Sequence, residues 1–351
     1  MIRLARKKCS PIGIDLGSRT IKLMQLGGDH TRIVDAVRWD LPEEAASDDP
    51  EVRKAATVDA LQQALACRDF RGRDAVLCLG ARELFVQNIR VPKVQDEDIS
   101  SVVQQEAAAR VPYDIAETEV RFIEAADIRH GGAIRREVIM LACHRPVLQN
   151  LLDVVSTAGL SPVAVDVEPL ALMRCHAAQF RRDDDHKQRA MFVHMGATTT
   201  AVIIASGPEI LFIKYLDIGG QHLDEAVARH LSMDLNGASL LRRHNGDRRA
   251  SEKDADVAKG VAQAIRPVID RLANELALCI RYHSVTFRGA PLSRTVLGGI
   301  EATDYLVEQL TSHHDIPCQM AKPLRGYKTD IETGRETQWD VATGLSLRVV
   351  D

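Results

Sequence analysis

The sequence carries one short pattern twice. Residues 12–24 read Ile-Gly-Ile-Asp-Leu-Gly-Ser-Arg-Thr-Ile-Lys-Leu-Met, and residues 191–203 read Met-Phe-Val-His-Met-Gly-Ala-Thr-Thr-Thr-Ala-Val-Ile. In each copy two apolar, strand-like arms flank a glycine turn with small hydroxyl residues, so that Gly17 matches Gly196 and Thr20 matches Thr199. A glycine there lets the backbone approach a polyphosphate without a Cβ in the way, and the N–H groups and hydroxyls that follow suit phosphate oxygens. The same Asp-x-Gly-Ser arrangement also serves plain turn geometry, so one copy alone leaves both readings open. Two copies, each opening roughly half of the chain, fit two related domains better than a solenoid, whose repeats run to about 20–50 residues. Facing each other, the hairpins would clasp a nucleotide between the halves. The candidate contacts are Asp15, Gly17, Ser18, Arg19 and Thr20 in the first copy and Gly196, Ala197, Thr198 and Thr199 in the second.

The chain has material for both domains, with 351 residues of which 45% are hydrophobic and 27% charged. Nucleic acid is not an expected partner, because the net charge is -4, aromatics make up only 4%, and no basic stripe runs through a domain. The basic clusters at 3–8 and 242–249 read as solvated tail and loop. Seven cysteines without a Cys-x-x-Cys spacing read as reduced thiols, and the histidines lack zinc spacing. No apolar run reaches the roughly 18 residues of a membrane span, and no signal-like segment follows the basic N-terminus, so a cytoplasmic protein is expected.

Hydrophobic periodicity orders the rest. In the first half, strands are expected at 33–39, 75–79, 84–91 and 163–167, with a helix around Val58, Leu61 and Leu65 and an acidic surface loop at 43–51. Residues 91–160 read as a helix-strand-strand-helix insert. Its first helix runs from the acids at 96–98 to Val111 before Pro112, its strands lie at 120–125 and 137–143 around Gly131-Gly132, and its last helix runs from Pro146 to Gly159. Glu168-Pro169 opens a helix to residue 180, and 181–189 form a polar connector. The second half reads as strands at 191–193, 200–205, 210–216, 295–297 and 318–321. Helices are expected at 223–231, at 257–280 with Pro267 bending it, at 305–310 and at 341–347, while 236–254 read as charged and irregular, as loops or short helices, and 325–338 as a polar loop. The expected division is 1–90 with 161–188 as one core unit, 91–160 as the insert, 189–223 with 292–351 as a second core unit, and 224–291 as a small helical or mixed unit.

Taken together, these stretches resemble the actin, sugar kinase and seventy-kilodalton chaperone superfamily. Within it the chain looks most like the PilM-type type IV pilus assembly proteins, relatives of the FtsA cell-division protein, over essentially its whole length. The residues that carry the likeness are Ile12 to Ser18, Val91-Pro92, Glu106-Ala107 with Val111-Pro112-Tyr113, Val165 to Leu172, Gly196 to Thr200, Ile218-Gly219-Gly220 and Gly344 to Arg348. The resemblance implies an α/β, two-domain actin-like (ribonuclease H-like) fold with a small subdomain inserted in the first half. It implies ATP and Mg2+ as cofactors, Gly298 and Gly299 approaching the adenosine, and Asp15 and Glu168 as the acids nearest the metal and any hydrolytic chemistry. It also implies a groove between the insert and the first domain for the N-terminal tail of a PilN-like bitopic inner-membrane protein. The chain would then sit at the inner membrane through that partner alone. Val91, Val111, Pro112 and Tyr113 are candidate contacts, although by its residues the face from Ile99 to Val111 reads as core; a homo-oligomer or filament stays open.

Two departures bear on chemistry. His194 stands where the family's second hairpin usually carries an acid that, in the superfamily, helps arrange magnesium and the attacking water. An imidazole is no oxygen ligand for a hard cation. Ile300-Glu301 follows the late Gly-Gly where small residues are usual, which would crowd an adenine pocket. Nucleotide binding with weak or absent hydrolysis is therefore the expectation. The cytoplasmic part of a type II secretion platform is the nearest alternative. An actin-like ATPase or a small-molecule kinase would share the fold, but no base positioned for a substrate hydroxyl stands out. A cell-division homologue is expected to add a membrane-binding helix after the last helix, and a chaperone a peptide-binding domain.

Overall fold

The computed structural model describes residues 9–92, 98–130, 133–179, 188–247, 254–287 and 291–350. Expectations for 3–8, 96–97, Gly131-Gly132 and most of the 181–189 connector lie outside these residues. The first half opens with the antiparallel strands β1 (Ile12–Leu16), β2 (Thr20–Leu26) and β3 (Ile33–Asp40). Helix α1 (Pro50–Ala66) then leads to β4 (Asp74–Leu79), which joins β1 in parallel. The acidic stretch expected as loop holds a 3-10 turn at Glu43–Ala46, and α1 already begins at Pro50, where Asp49 accepts the Glu51 N–H as N-cap. All seven residues of β2 are buried, as befits a strand covered on both faces, and its Lys22 and Gln25 side chains have partners. Gln25 exchanges hydrogen bonds with the Arg71 backbone in both directions.

The insert differs from its expected composition. Strand β5 (Phe85–Pro92), helix α2 (Ile99–Arg110), and strands β6 (Thr118–His130) and β7 (Ala133–His144) form a separate three-stranded sheet in the order β5-β7-β6, with α2 on its core. The closing helix, α3 (Arg145–Thr157), touches β7 but packs mainly on the first sheet and its helix α1. Its Val154 and Val155 are buried among Leu61 of α1 and Leu77 of β4, and it leads into β8 (Ser161–Val167), which pairs in parallel with β4. The expected helix-strand-strand-helix unit is thus strand-helix-strand-strand. The apolar face of α3 had to be covered by something, and sequence spacing alone does not say by which sheet.

After α4 (Glu168–Ala177) the second half repeats the first. Strands β9 (Arg189–Met195), β10 (Thr200–Ser206) and β11 (Glu209–Leu216) are antiparallel. Helices α5 (Gly220–Leu231), α6 (Leu235–Asp247) and α7 (Ala255–Thr286) lead to β12 (Arg294–Gly298), and α8 (Asp304–His313) leads to β13 (Cys318–Met320). The order β11-β10-β9-β12-β13 reproduces β3-β2-β1-β4-β8 strand for strand. Helix α7 continues through Pro267, and the stretch expected as loops or short helices after residue 235 begins with the helix α6, while 248–253 lie outside the described residues.

Each half ends in a helix that crosses to the other. α4 follows the first sheet but buries Ala171, Leu172 and Met173 among Phe192, Ala201 and Ile203 of the second. α9 (Asp340–Ser346) follows the second sheet and packs on β1 and β2, where Ser346 Oγ donates to the Met24 carbonyl at 2.7 Å. Both crossings need glycine: a Cβ on Gly13 would lie 2.3 Å from the Ala342 carbonyl oxygen, and one on Gly344 would lie 1.9 Å from that of Ala171. The two sheets therefore meet through a pair of closely packed helices, with a cleft above them.

Candidate functional site

The two repeated hairpins open onto one cleft of about 260 Å³. The β1–β2 turn is closed by Gly17 N–H donating to the Thr20 carbonyl at 3.0 Å, and the β9–β10 turn by Gly196 N–H donating to the Thr199 carbonyl at 2.9 Å. Both turns are half-exposed at the tip, and Asp15, Gly17, Ser18, Arg19 and Thr20 line the cleft together with Gly196, Ala197, Thr198 and Thr199. Gly219 explains how the second turn is held. A Cβ there would lie 2.4 Å from the Thr198 backbone, so the start of α5 packs directly behind the turn, with Gly220 and Gln221 N–H groups donating to the Gly196 and Ala197 carbonyls.

The equivalence of the turns makes His194 the counterpart of Asp15, and their surroundings are opposite. Across the first hairpin Asp15 pairs with Lys22, and Lys22 Nζ lies 2.6 Å from Asp15 Oδ2 with both side chains largely buried. Across the second, His194 pairs with Ala201, which offers no charge. Its partners come instead from the starts of the two crossing helices: Nδ1 is 2.8 Å from Asp340 Oδ2 and Nε2 is 3.6 Å from Glu168 Oε1. Burial pulls the imidazole pKa down, but Asp340 first, then Glu168 and Asp15, outweigh it and raise it to about 9. Burial would raise Asp340, yet His194 holds it below the usual carboxylate range. Glu168 is raised by burial, against the pull of His194 and of the Tyr215 hydroxyl, which donates to Glu168 Oε2 at 2.9 Å. The arrangement is thus an imidazolium on an ionised Asp340, with Glu168 biased toward its neutral form.

A second cluster closes the far corner. Asp224 of α5 is fully buried and accepts from Arg19 Nη1 at 2.7 Å and from Arg242 Nε at 2.7 Å. Arg19 comes from the first hairpin, so this ion pair spans the cleft. Arg242 also donates to Glu301 Oε2 at 2.6 Å, and the Glu301 carboxylate rests against Gly220, where a Cβ would be 2.0 Å from it. The basic run expected to be solvated is therefore partly interior. Helical spacing on α6 sets Arg242 one turn after the buried Ala238, and Arg242 is 8% exposed. Arg243, beside it, lines the cleft and reaches Asp224 only at 3.9 Å.

Other expected residues fall elsewhere. Gly298 and Gly299 are buried behind the cleft wall: a Cβ on Gly298 would lie 2.5 Å from Asp340 Oδ2, and Gly299, at φ 90°, packs against the Met195 backbone. The smallness of Gly298 admits the Asp340 carboxylate to His194, while Ile300 and Glu301 line the cleft. Val91 is 2% exposed in the core of the insert, so its side chain is no docking surface without unfolding that core. Val111 is half-buried there too, Pro112 is exposed, and Tyr113 stacks on His144 with ring centroids 5.2 Å apart. Sequence reasoning missed Lys22, Tyr215, Asp224, Arg242, Arg243 and Asp340. Only Lys22 left a signal, since a lysine inside an otherwise apolar strand demands a buried acid.

A sequence model of the family described as Type IV pilus assembly protein PilM matches residues 13–350. The chain belongs to the PilM family. Among solved structures it is similar to the PilM-PilN type IV pilus biogenesis complex, at 22% identity and a TM-score of 0.79, covering 97% of this chain and 99% of that one. It is also similar to the ethanolamine utilization protein EutJ from Carboxydothermus hydrogenoformans, at 13% identity and a TM-score of 0.59, covering 99% and 92%. A third, from Bacteroides thetaiotaomicron, is a protein of actin-like ATPase fold and unknown function, at 8% identity and a TM-score of 0.51, covering 99% and 100%. At these identities the likeness is one of fold, and the fold is actin-like.

In this PilM family member the donors do not suit a resident divalent ion. Mg2+ is commonly held by one or two carboxylates and the phosphates of its ligand. Here Asp15 is already paired with Lys22, and Glu168 faces the imidazolium of His194. Among the described residues no group of three or more His, Cys, Asp or Glu side chains is placed to hold a metal. The cleft wall carries Arg19, Lys22, Arg53, Lys54, Arg82 and Arg243 against Asp15, Glu83, Glu168 and Glu301, a positive excess in a chain of net charge -4. That balance suits an anion. No helix among the described residues is long and apolar enough to cross a membrane.

Proposed function

We propose that the chain is a nucleotide-binding, actin-like member of a type IV pilus assembly platform, with hydrolysis weak or absent. The observation that carries the nucleotide reading is the pair of equivalent glycine turns, closed by the same hydrogen bond and opening onto one cationic cleft. Such turns present N–H groups to phosphate oxygens, and Arg19 and Arg243 add guanidiniums. Weak hydrolysis is supported by His194: an imidazolium bound to Asp340 neither holds a hard cation nor accepts a proton from an attacking water. A melting experiment tests both parts. ATP at about 100 times its Kd stabilises the folded state by roughly 2.7 kcal/mol, so an unmoved transition at millimolar ATP counts against binding. Brisk steady-state turnover contradicts the second part.

The platform role rests on family membership and on the printed description of one similar structure as a PilM-PilN complex. By analogy, this chain docks the N-terminal tail of a PilN-like bitopic protein and reaches the inner face of the membrane through it. An extended tail would add its backbone hydrogen bonds to a strand edge, with alternate side chains giving selectivity. The exposed Pro112 and the Tyr113–His144 stack remain the accessible candidates on the insert. A synthetic PilN-like N-terminal peptide is expected to bind the intact chain saturably. Absence of binding, with and without ATP, would remove the docking assignment while leaving the nucleotide reading to its own test.

A further inference from the structure

The cleft already carries positive charge on side chains where a divalent ion would sit. Lys22 occupies Asp15 at 2.6 Å, and His194 lies between Asp340 at 2.8 Å and Glu168 at 3.6 Å. A magnesium ion drawn to either acid near the phosphate turns would be placed against one of these cations. It would also need a near-octahedral shell of oxygens, and the imidazole supplies none. At the other corner three guanidiniums, those of Arg19, Arg242 and Arg243, face two carboxylates, Asp224 and Glu301. Arg242 satisfies both acids from the buried side, whereas Arg19 and Arg243 lie on the cleft wall with side chains 27% and 34% exposed. One positive charge is left over, on the side that faces the turns.

We propose that this cleft binds a nucleoside polyphosphate without a divalent cation, with Lys22 and His194 standing in for the metal's charge and Arg19 and Arg243 taking the phosphate oxygens. This rests on the nucleotide reading and adds the metal-free form of the ligand to it. Planar guanidiniums match phosphate oxygens in pairs, which a lone ammonium does not. On arrival of the ligand, Arg19 exchanges its bond to Asp224 for one to phosphate, and Arg242 keeps the buried Asp224 neutralised. The charge of Asp224 is therefore never left bare in the interior, which would be strongly unfavourable.

Calorimetric titration of the full chain with ATP, once in EDTA and once in magnesium, tests this. Affinity in EDTA is expected to match that in magnesium within about threefold, and Arg243→Ala to weaken binding in EDTA by roughly tenfold, the loss of a charge-assisted hydrogen bond. Inorganic tripolyphosphate in EDTA is expected to compete with ATP. Binding at least about tenfold tighter in magnesium overturns the proposal, as does an Arg243→Ala chain that binds like the parent. Magnesium-dependent binding leaves the nucleotide reading standing, whereas no saturable binding in either buffer removes both. Arg243 sits on the rim, and the ligand-free melting transition of its variant shows whether the fold is kept.

Discussion

At His194, burial and charge pull in opposite directions, and charge prevails. Its pKa is raised from 6.5 to about 9, with Asp340, Glu168 and Asp15 facing it and His176 and Lys22 close to Asp340. A raised folded value means that the imidazolium stabilises the native state. That contribution is fully present below about pH 6.5 and is lost as the pH rises through about 9; the shift corresponds to roughly 3 kcal/mol. His176, stacked on Phe192, has the opposite sign: burial pushes it down to about 4, so its contribution is present above 6.5 and is lost as the pH falls toward 4. Denaturant titrations of the parent and of His194→Gln should therefore differ by roughly 3 kcal/mol near pH 6 and converge near pH 9.5. Parallel curves across that range would mean that His194 is not held as a cation. The repeat made this position legible, because aligning Gly17 with Gly196 puts His194 opposite Asp15. What it did not convey was Asp340, which reaches His194 through the space left by Gly298 and lies far away in sequence.

At the scale of elements, the crossing of α4 and α9 ties the two sheets together. Gly344 sits where a methyl group would meet the Ala171 carbonyl at 1.9 Å, and neither backbone can retreat cheaply because each helix is packed on a sheet. Gly344→Ala is expected to cost about 3 kcal/mol despite the better helix propensity of alanine, since overpacking outweighs that gain. A urea transition within about 0.5 kcal/mol of the parent would show that the helices part freely. Strands and helices were mostly legible because their patterns are local, a continuous apolar run in β10 and apolar residues three or four apart in α7. Their allegiance was not: α3 joins the first sheet, and α9 packs back on β1. An apolar stripe records that a face is covered, not what covers it. The buried side of helix α6 was missed for a related reason, since Arg242 looks solvated until Asp224 and Glu301 are brought beside it.

For the whole molecule, duplication is the governing fact. Two sheets of one topology, joined by crossed helices, leave a cleft whose two walls carry equivalent turns, and Arg19 reaching Asp224 links those walls. The insert adds a further bridge, with Asn88 of β5 donating to the Ile213 carbonyl of β11 at 2.7 Å, so it leans on the second half as well as the first. Membership of the PilM family places this architecture in type IV pilus assembly. The central claim is that both turns grip one ligand. Amide hydrogen exchange with and without saturating ATP tests it most directly. Residues 17–20 and 196–199 are expected to gain protection together, in parallel with occupancy. Protection of one turn alone, or of neither at saturation, would contradict a nucleotide clasped between the halves.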